Sequence, residues 1–330
     1  MKECYLILGG GGFLGRALAS RLLRTGGSVR SFSRRSYPDL EALGVECFRG
    51  DILDVAALER ACRGCTTLFH TVAICEIVKP ARLYHDVNVQ GTRNVLEACR
   101  RCGVSRLVYT STPSVVIGRE DIVMGNEELL YAKSFLSPYP ETKMMAEKLV
   151  LAANSAEFRT CALRPHLMWG AGEPHIIPLI LQEADAGRLK IVGDGRNQVS
   201  LTHVLNAAEA HWQAAEELAG AGRCAGKPYF VNDVEPVFLW EWINSLLEGC
   251  GRPRVTRHVS RALFELLGGL EELLHALPGL GAPRLNRFTA HQLGHSHSFS
   301  CERAMREFGY SPVISPEEGM RELLASLRQR

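Results

Sequence analysis

Tyr139 and Lys143 stand four residues apart, so on a helix both side chains project from one face. A phenol beside an ammonium suits proton transfer to an oxygen, because the cation stabilises the phenolate and lowers the phenol's pKa. A carbinol or ketone carbon needs such a partner when hydride leaves or enters. Tyr-x-x-x-Lys is common by chance, and its weight comes from what surrounds it. Thr112 closes the hydroxyl run Thr110-Ser111-Thr112 at the end of an apolar segment, where its γ-hydroxyl could hold the reacting oxygen. The plainer alternative is that these hydroxyls only satisfy backbone groups at a strand end.

Upstream, glycines 9–12 and Gly15 separate the apolar run 5–8 from a segment with Leu14, Ala17, Leu18, Leu22 and Leu23 at helical spacing. A strand, a glycine loop and a helix in that order form a phosphate cradle: bare backbone approaches a pyrophosphate, and the helix start offers free N–H groups and a positive dipole end. Gly9, Gly12, Phe13, Leu14 and Gly15 are therefore expected at a dinucleotide, a flexible turn being the weaker alternative. After the second strand, where an acid would bond the ribose of NAD, the chain carries Ser33-Arg34-Arg35. A hydroxyl and guanidiniums suit a 2′-phosphate, so NADP(H) is expected ahead of NAD(H). The arginines could instead simply solvate a loop. Asp51 and Ile52, after the third strand, are placed beside the adenine.

Positioning these residues requires strands at 5–8, 29–33, 45–48, 67–71, 106–110 and 159–163. Helices are expected at 13–25, 55–62, 87–101 and 140–153. The first part then runs β-α-β-β-α-β, and the alternation implies an α/β fold, a doubly wound parallel sheet of Rossmann type. Residues 1–165 read as the dinucleotide-binding core with the catalytic helix. Residues 166–330 read as a smaller, mainly substrate-binding region that contributes in part to the sheet, with turn-rich breaks at 190–195, 235–236 and 278–283.

Taken together, residues 9–15, Asp51-Ile52, Asn88 with Gly91-Thr92, residues 110–112 and residues 139–143 resemble the extended short-chain dehydrogenases. Residues 107–115, 148–154 and 164–166 are similar to the 3β-hydroxysteroid dehydrogenase branch. Within it, Ser36-Tyr37-Pro38 and 185–195 look like the reductases of 2-alkyl-3-keto acids, whereas Pro165-His166 and 300–303 look like the decarboxylating sterol-4-carboxylate 3-dehydrogenases. The resemblance implies an NAD(P)-dependent oxidoreductase acting on a 3-keto or 3-hydroxy group of a bulky hydrophobic molecule. It assigns Tyr139 as acid/base, Lys143 as the residue that lowers its pKa and holds the nicotinamide ribose, and Thr112, where most relatives carry serine, as the group orienting the substrate oxygen. Pro165 would border the nicotinamide; Ala73 and Asn88 would line the cofactor side of the sheet. A nucleotide-sugar epimerase or dehydratase shares this core, and a non-catalytic NADP-binding scaffold is the rival from another class.

Composition is that of an ordinary globular chain: 38 Lys and Arg balance 36 Asp and Glu, so no nucleic-acid partner is implied. No signal peptide is read at the start, and eleven cysteines are expected as reduced thiols in a cytoplasmic protein. Cys62-x-x-Cys65 and Cys99-x-x-Cys102 have the spacing of a four-thiolate zinc site but fall at helix ends, which favours buried hydrophobes. His291, His295 and His297 are read as pocket or surface residues, since no acid accompanies them in sequence. No metal is expected. Leucines from 263 to 277, preceded by Arg252, Arg254, Arg257 and Arg261, give 261–283 an apolar face. It suits a lid or homodimer helix, or peripheral contact with a membrane.

Overall fold

A strand buried on both faces reads as an unbroken apolar run, and Cys4–Leu8 (β1) is buried at all five positions. The computed structural model describes residues 3–75, 79–275 and 285–328. After β1 come α1 (Phe13–Leu23), β2 (Ser28–Ser33), α2 (Pro38–Ala42), β3 (Glu46–Arg49), α3 (Val55–Cys62), β4 (Thr67–His70) and α4 (Ala81–Tyr84). Then follow α5 (Gly91–Cys102), β5 (Arg106–Thr110), β6 (Ile122–Gly125), α6 (Pro138–Ala152) and β7 (Arg159–Pro165). A seven-stranded sheet runs in the order Pro228–Val231, β7, β5, β4, β1, β2, β3, parallel at every pairing. The order reverses between β1 and β4. At such a switch point the connections diverge, leaving a crevice beyond the carboxyl ends of the strands.

Two expectations are corrected. The order is not β-α-β-β-α-β, because α2 intervenes between β2 and β3, opened by Pro38 and joined to α1 by an Arg16–Asp39 ion pair. Five residues are too few for a helical period to show. The expected helix 87–101 is also compound, since a π-helical turn, His85–Gln90, runs directly into α5. The remaining core elements lie within one or two residues of the expected bounds.

Alternate residues of the strands face opposite layers. Ile7 and Val108 pack with Leu14 and Leu18 of α1 and with alanines 207, 208, 210 and 214 of the helix Val204–Ala219. Leu6, Leu8 and Leu107 pack against Leu58, Val95, Ala146 and Val150 from α3, α5 and α6. Residues beyond 165 thus complete both the sheet and its covering layer. They also build a smaller sheet in which His297–Phe299 pairs with β6, fastening the segment after β5 to the C-terminal part. Phe288, His291 and Gln292 of the helix Arg287–Gly294 come to line a pocket with Ser114, Ile117 and Pro140.

Of the segment 261–283, residues 261–275 are a helix with Leu266 59% and Leu273 70% exposed. The remainder, like the break at 278–283, lies outside the described residues. Among the described residues no helix is long and apolar enough to cross a membrane.

Candidate active site

Pro138 and Pro140 fix φ in the first turn of α6, where their missing N–H groups cost nothing. Tyr139 is carried between them. Thr112 caps the 3-10 turn Pro113–Val115, its Oγ1 accepting from the Ser114 amide at 3.2 Å and donating to Ser114 Oγ at 3.2 Å. The Thr112 hydroxyl is near enough to the Tyr139 phenol to act on its pKa. One turn along, Lys143 is buried, donates from Nζ to the Thr110 carbonyl at 2.6 Å and lies 4.2 Å from the centroid of the Tyr109 ring. The structure therefore brings Thr112, Tyr139 and Lys143 together at the carboxyl end of β5.

Burial raises the Tyr139 pKa above the ordinary phenol range, and Cys75 adds to this; the Thr112 hydroxyl opposes it. The lowering of the phenol's pKa expected from Lys143 is not seen: burial, Cys75 and Thr112 are the groups that act on it. Burial also lowers Lys143 to about 7, against the opposing charge of Glu147.

The glycine loop has the form a pyrophosphate requires. Gly9 has φ +84°, and a Cβ on Gly15 would stand 2.2 Å from the Gly9 carbonyl oxygen. The latter contact ties the start of α1 to the loop and admits glycine alone. Gly12 is the N-cap of α1, followed by half-buried Phe13 and buried Leu14. Ser31 Oγ and Ser33 Oγ, on β2, are buried without a hydrogen-bond partner, while Arg34 and Arg35 are exposed just beyond. A bare cradle, two unsatisfied hydroxyls and adjacent guanidiniums fit the phosphate and ribose end of a dinucleotide.

Asp51 is exposed and its Oδ1 accepts from the Leu53 amide at 2.9 Å. Ile52 is buried against Gly91, where a Cβ would lie 2.9 Å from it. Asn88 is a brace: Oδ1 accepts from the Ile74 amide at 2.8 Å, and Nδ2 donates to the Thr142 hydroxyl at 3.0 Å. It joins the half-buried Ala73 segment after β4 to α6. Pro165 is buried at the end of β7.

Several residues escaped the sequence reading. The Tyr37 ring covers Gly11, where a Cβ would come within 2.1 Å of it. Glu147, four residues beyond Lys143, is fully buried and accepts from Arg164 Nη2 at 2.5 Å, Arg164 Nε at 3.0 Å and the Tyr131 hydroxyl at 2.7 Å. A carboxylate at i+4 from the lysine, among apolar helix positions, was the available signal. The histidine tract divides: His297 pairs with His166, whereas His291 and His295 stack and meet Glu265. Contrary to the sequence reading, acids do accompany the tract, since His295 Nδ1 and Nε2 contact Asp121 at 2.9 Å and Glu265 at 3.0 Å. The two Cys-x-x-Cys pairs meet as Cys62 against Cys99, with burial raising the Cys99 thiol well above its ordinary range. Among the described residues they do not form a group close enough to share an ion.

Residues 6–260 match the model of the 3-beta hydroxysteroid dehydrogenase/isomerase family. The chain belongs to that family. As a member it is an NAD(P)-dependent oxidoreductase acting on CH–OH groups. It is 45% identical over 324 residues to a 2-alkyl-3-oxoalkanoate reductase of Stenotrophomonas maltophilia, covering 97% of this chain and 98% of the relative. It is 40% identical to a protein of the same description from Shewanella oneidensis, covering 97% and 85%. Identity to the human sterol-4-alpha-carboxylate 3-dehydrogenase, decarboxylating, is 32%, covering 99% and 88%. Among solved structures, gox2253 superposes with a TM-score of 0.80 at 24% identity, covering 99% and 98% of the two chains, which shows that the two share a fold.

Proposed function

We propose that this member of the family reduces the 3-oxo group of a 2-alkyl-3-oxo acid, with NADPH as the preferred reductant. The observation that carries the reading is the placement of Thr112 at the carboxyl end of β5 with Tyr139 and Lys143 on the first turns of α6, Lys143 donating to the Thr110 carbonyl. The 45% and 40% identities to reductases described for such substrates support it.

The dinucleotide, when bound, supplies the hydride. Gly9, Gly12 and Gly15 leave room for its pyrophosphate, and Ser33 with Arg34 would read a 2′-phosphate. Thr112 orients the substrate oxygen and Tyr139 delivers its proton to that oxygen, completing the alcohol. Lys143 holds the nicotinamide ribose and supplies positive charge beneath Tyr139 as the proton departs. The decarboxylating sterol dehydrogenases act on a substrate of the same local shape, a 3-hydroxy group two carbons from a carboxylate. The exposed leucines of 261–275 suit a cover, a second copy of the chain or a membrane surface.

The test is absorbance at 340 nm with purified protein. Consumption of NADPH with a 2-alkyl-3-oxo acid supports the reading. Reduction of NADP or NAD by a 4-carboxy-3β-hydroxysterol alone moves the substrate to sterols, and silence with both sinks the proposal. For the cofactor, Arg34→Glu is expected to weaken NADPH binding about 10–100-fold relative to NADH, the scale of a lost charge-assisted bond. Equal losses for both dinucleotides would remove Arg34 from phosphate recognition.

A further inference from the structure

Three polar side-chain atoms on consecutive residues are buried without a partner: His291 Nε2, Gln292 Nε2 and Gln292 Oε1. Buried amide and imidazole groups are nearly always satisfied in folded proteins, so a cluster left open asks for an occupant. Both residues line a pocket together with Ser114 and Pro140. Pro140 follows Tyr139 directly, and Ser114 Oγ accepts from Thr112. The unsatisfied groups thus share a pocket with the immediate neighbours of Tyr139 and Thr112.

We propose that His291 and Gln292 are the carboxyl-binding end of the substrate pocket, taking the C1 carboxyl of an acid whose C3 oxygen lies at Tyr139 and Thr112. The assignment deepens, and rests on, the substrate reading above. In a 3-oxo or 3-hydroxy acid a single carbon separates the two functional carbons, so their binding groups must stand side by side. Two N–H donors, one from the imidazole and one from the amide, match the two carboxyl oxygens. Ile117, Phe135, Leu136 and Phe288 line the same small pocket and make its remaining walls apolar.

The structure holds both donors in place. His297 Nε2 donates to the Gln292 carbonyl at 2.9 Å, and His297 Nδ1 lies 2.6 Å from His166 Nε2. A carbonyl only accepts, so the His297 proton sits on Nε2, and burial keeps the ring neutral by lowering its pKa to about 4. Nδ1 then accepts from His166, which follows Pro165 at the end of β7. Gln292 is tied in this way to the strand that borders the cofactor crevice. His291 stacks on His295 with centroids 4.1 Å apart. Its Nδ1 lies 3.8 Å from Glu265, and it is as the Nε2–H tautomer that the ring would donate to a carboxyl. Burial keeps this imidazole neutral as well, lowering it to about 4. A site built from such donors rejects an analogue that lacks the matching group, since its own polar atoms then stay unpaired.

The experiment compares a 2-alkyl-3-hydroxy acid with the matched secondary alcohol lacking the carboxyl, both in the oxidation direction, where the acid does not lose carbon dioxide beforehand. The wild type is expected to prefer the acid. Gln292→Leu and His291→Phe should each lower the acid-to-alcohol ratio of kcat/KM at least tenfold, chiefly through KM for the acid. Gln292→Glu, nearly isosteric, should lower it further by setting carboxylate against carboxylate, and it serves if the leucine variant fails to fold. An unchanged ratio, or equal losses on both substrates, overturns the carboxyl assignment. A wild type that oxidises both substrates equally well overturns this assignment alone, and one that oxidises neither overturns the substrate reading with it.

Discussion

Tyr139→Phe is expected to lower turnover by about 10²–10⁴-fold, the range for removing a positioned acid or base, while dinucleotide binding persists. The substitution deletes one oxygen and its interaction with the Thr112 hydroxyl. Even a full neutral hydrogen bond contributes only about 1 kcal/mol, so the fold should survive and a thermal melt should confirm it. The glycine cradle and β2 lie on other strands of the sheet and are left intact. Cofactor fluorescence titration should therefore give the same affinity in variant and wild type, even as absorbance at 340 nm ceases to change. A variant that keeps its activity would show that another group delivers the proton, and Tyr139 would lose its assignment.

Glu147→Leu is expected to cost about 3–5 kcal/mol of stability, the scale of stranding one member of a buried ion pair. Arg164 is 2% exposed and Glu147 fully buried. Removing the carboxylate strands the guanidinium and takes the acceptor from Tyr131. At about 2.1 cal/mol/K per residue, a chain of 330 residues should melt roughly 4–7 °C lower. The double variant Glu147→Leu with Arg164→Met should recover most of the loss, because two apolar side chains replace the pair without an orphan charge. A double variant no more stable than the single one would mean that packing, not charge, is what Glu147 provides. The same substitution reaches the chemistry. Glu147 raises the Lys143 pKa, and without it the amine should fall below its value of about 7. Lys143 is charged only below its pKa, so the alkaline limb of the pH–rate profile should move to lower pH.

The glycine loop and the Tyr139–Lys143 pair were legible because each is local. Three glycines after an apolar strand, or two side chains one turn apart, carry their geometry in their spacing. The helix Pro38–Ala42 was not, since five residues give no period. The cysteine spacings suggested four thiolates, yet α3 and α5 pack so that Cys62 meets Cys99 as one apolar contact among others. Glu147 with Arg164, and Glu265 with His291 and His295, are pairings made by tertiary structure across 17 and more positions, and no pattern in the chain announces them. Gln292 is more instructive still. In sequence it is one amide in a polar stretch, and only the tertiary structure brings it to the pocket with Ser114 and Pro140.

The helix that covers α1 has a consequence for synthesis. α1 leaves the ribosome well before the helix that covers it, and its apolar face closes only when residues 204–219 arrive, some 180 positions later. At about 5–20 residues per second, Leu14, Leu18 and Leu22 would wait roughly ten to forty seconds for their cover, and β7 would wait for Pro228–Val231 at its edge. Nascent chains halted shortly after residue 165 should therefore be held by chaperones and cut readily by proteases. Release of both should coincide with the emergence of the second helical layer.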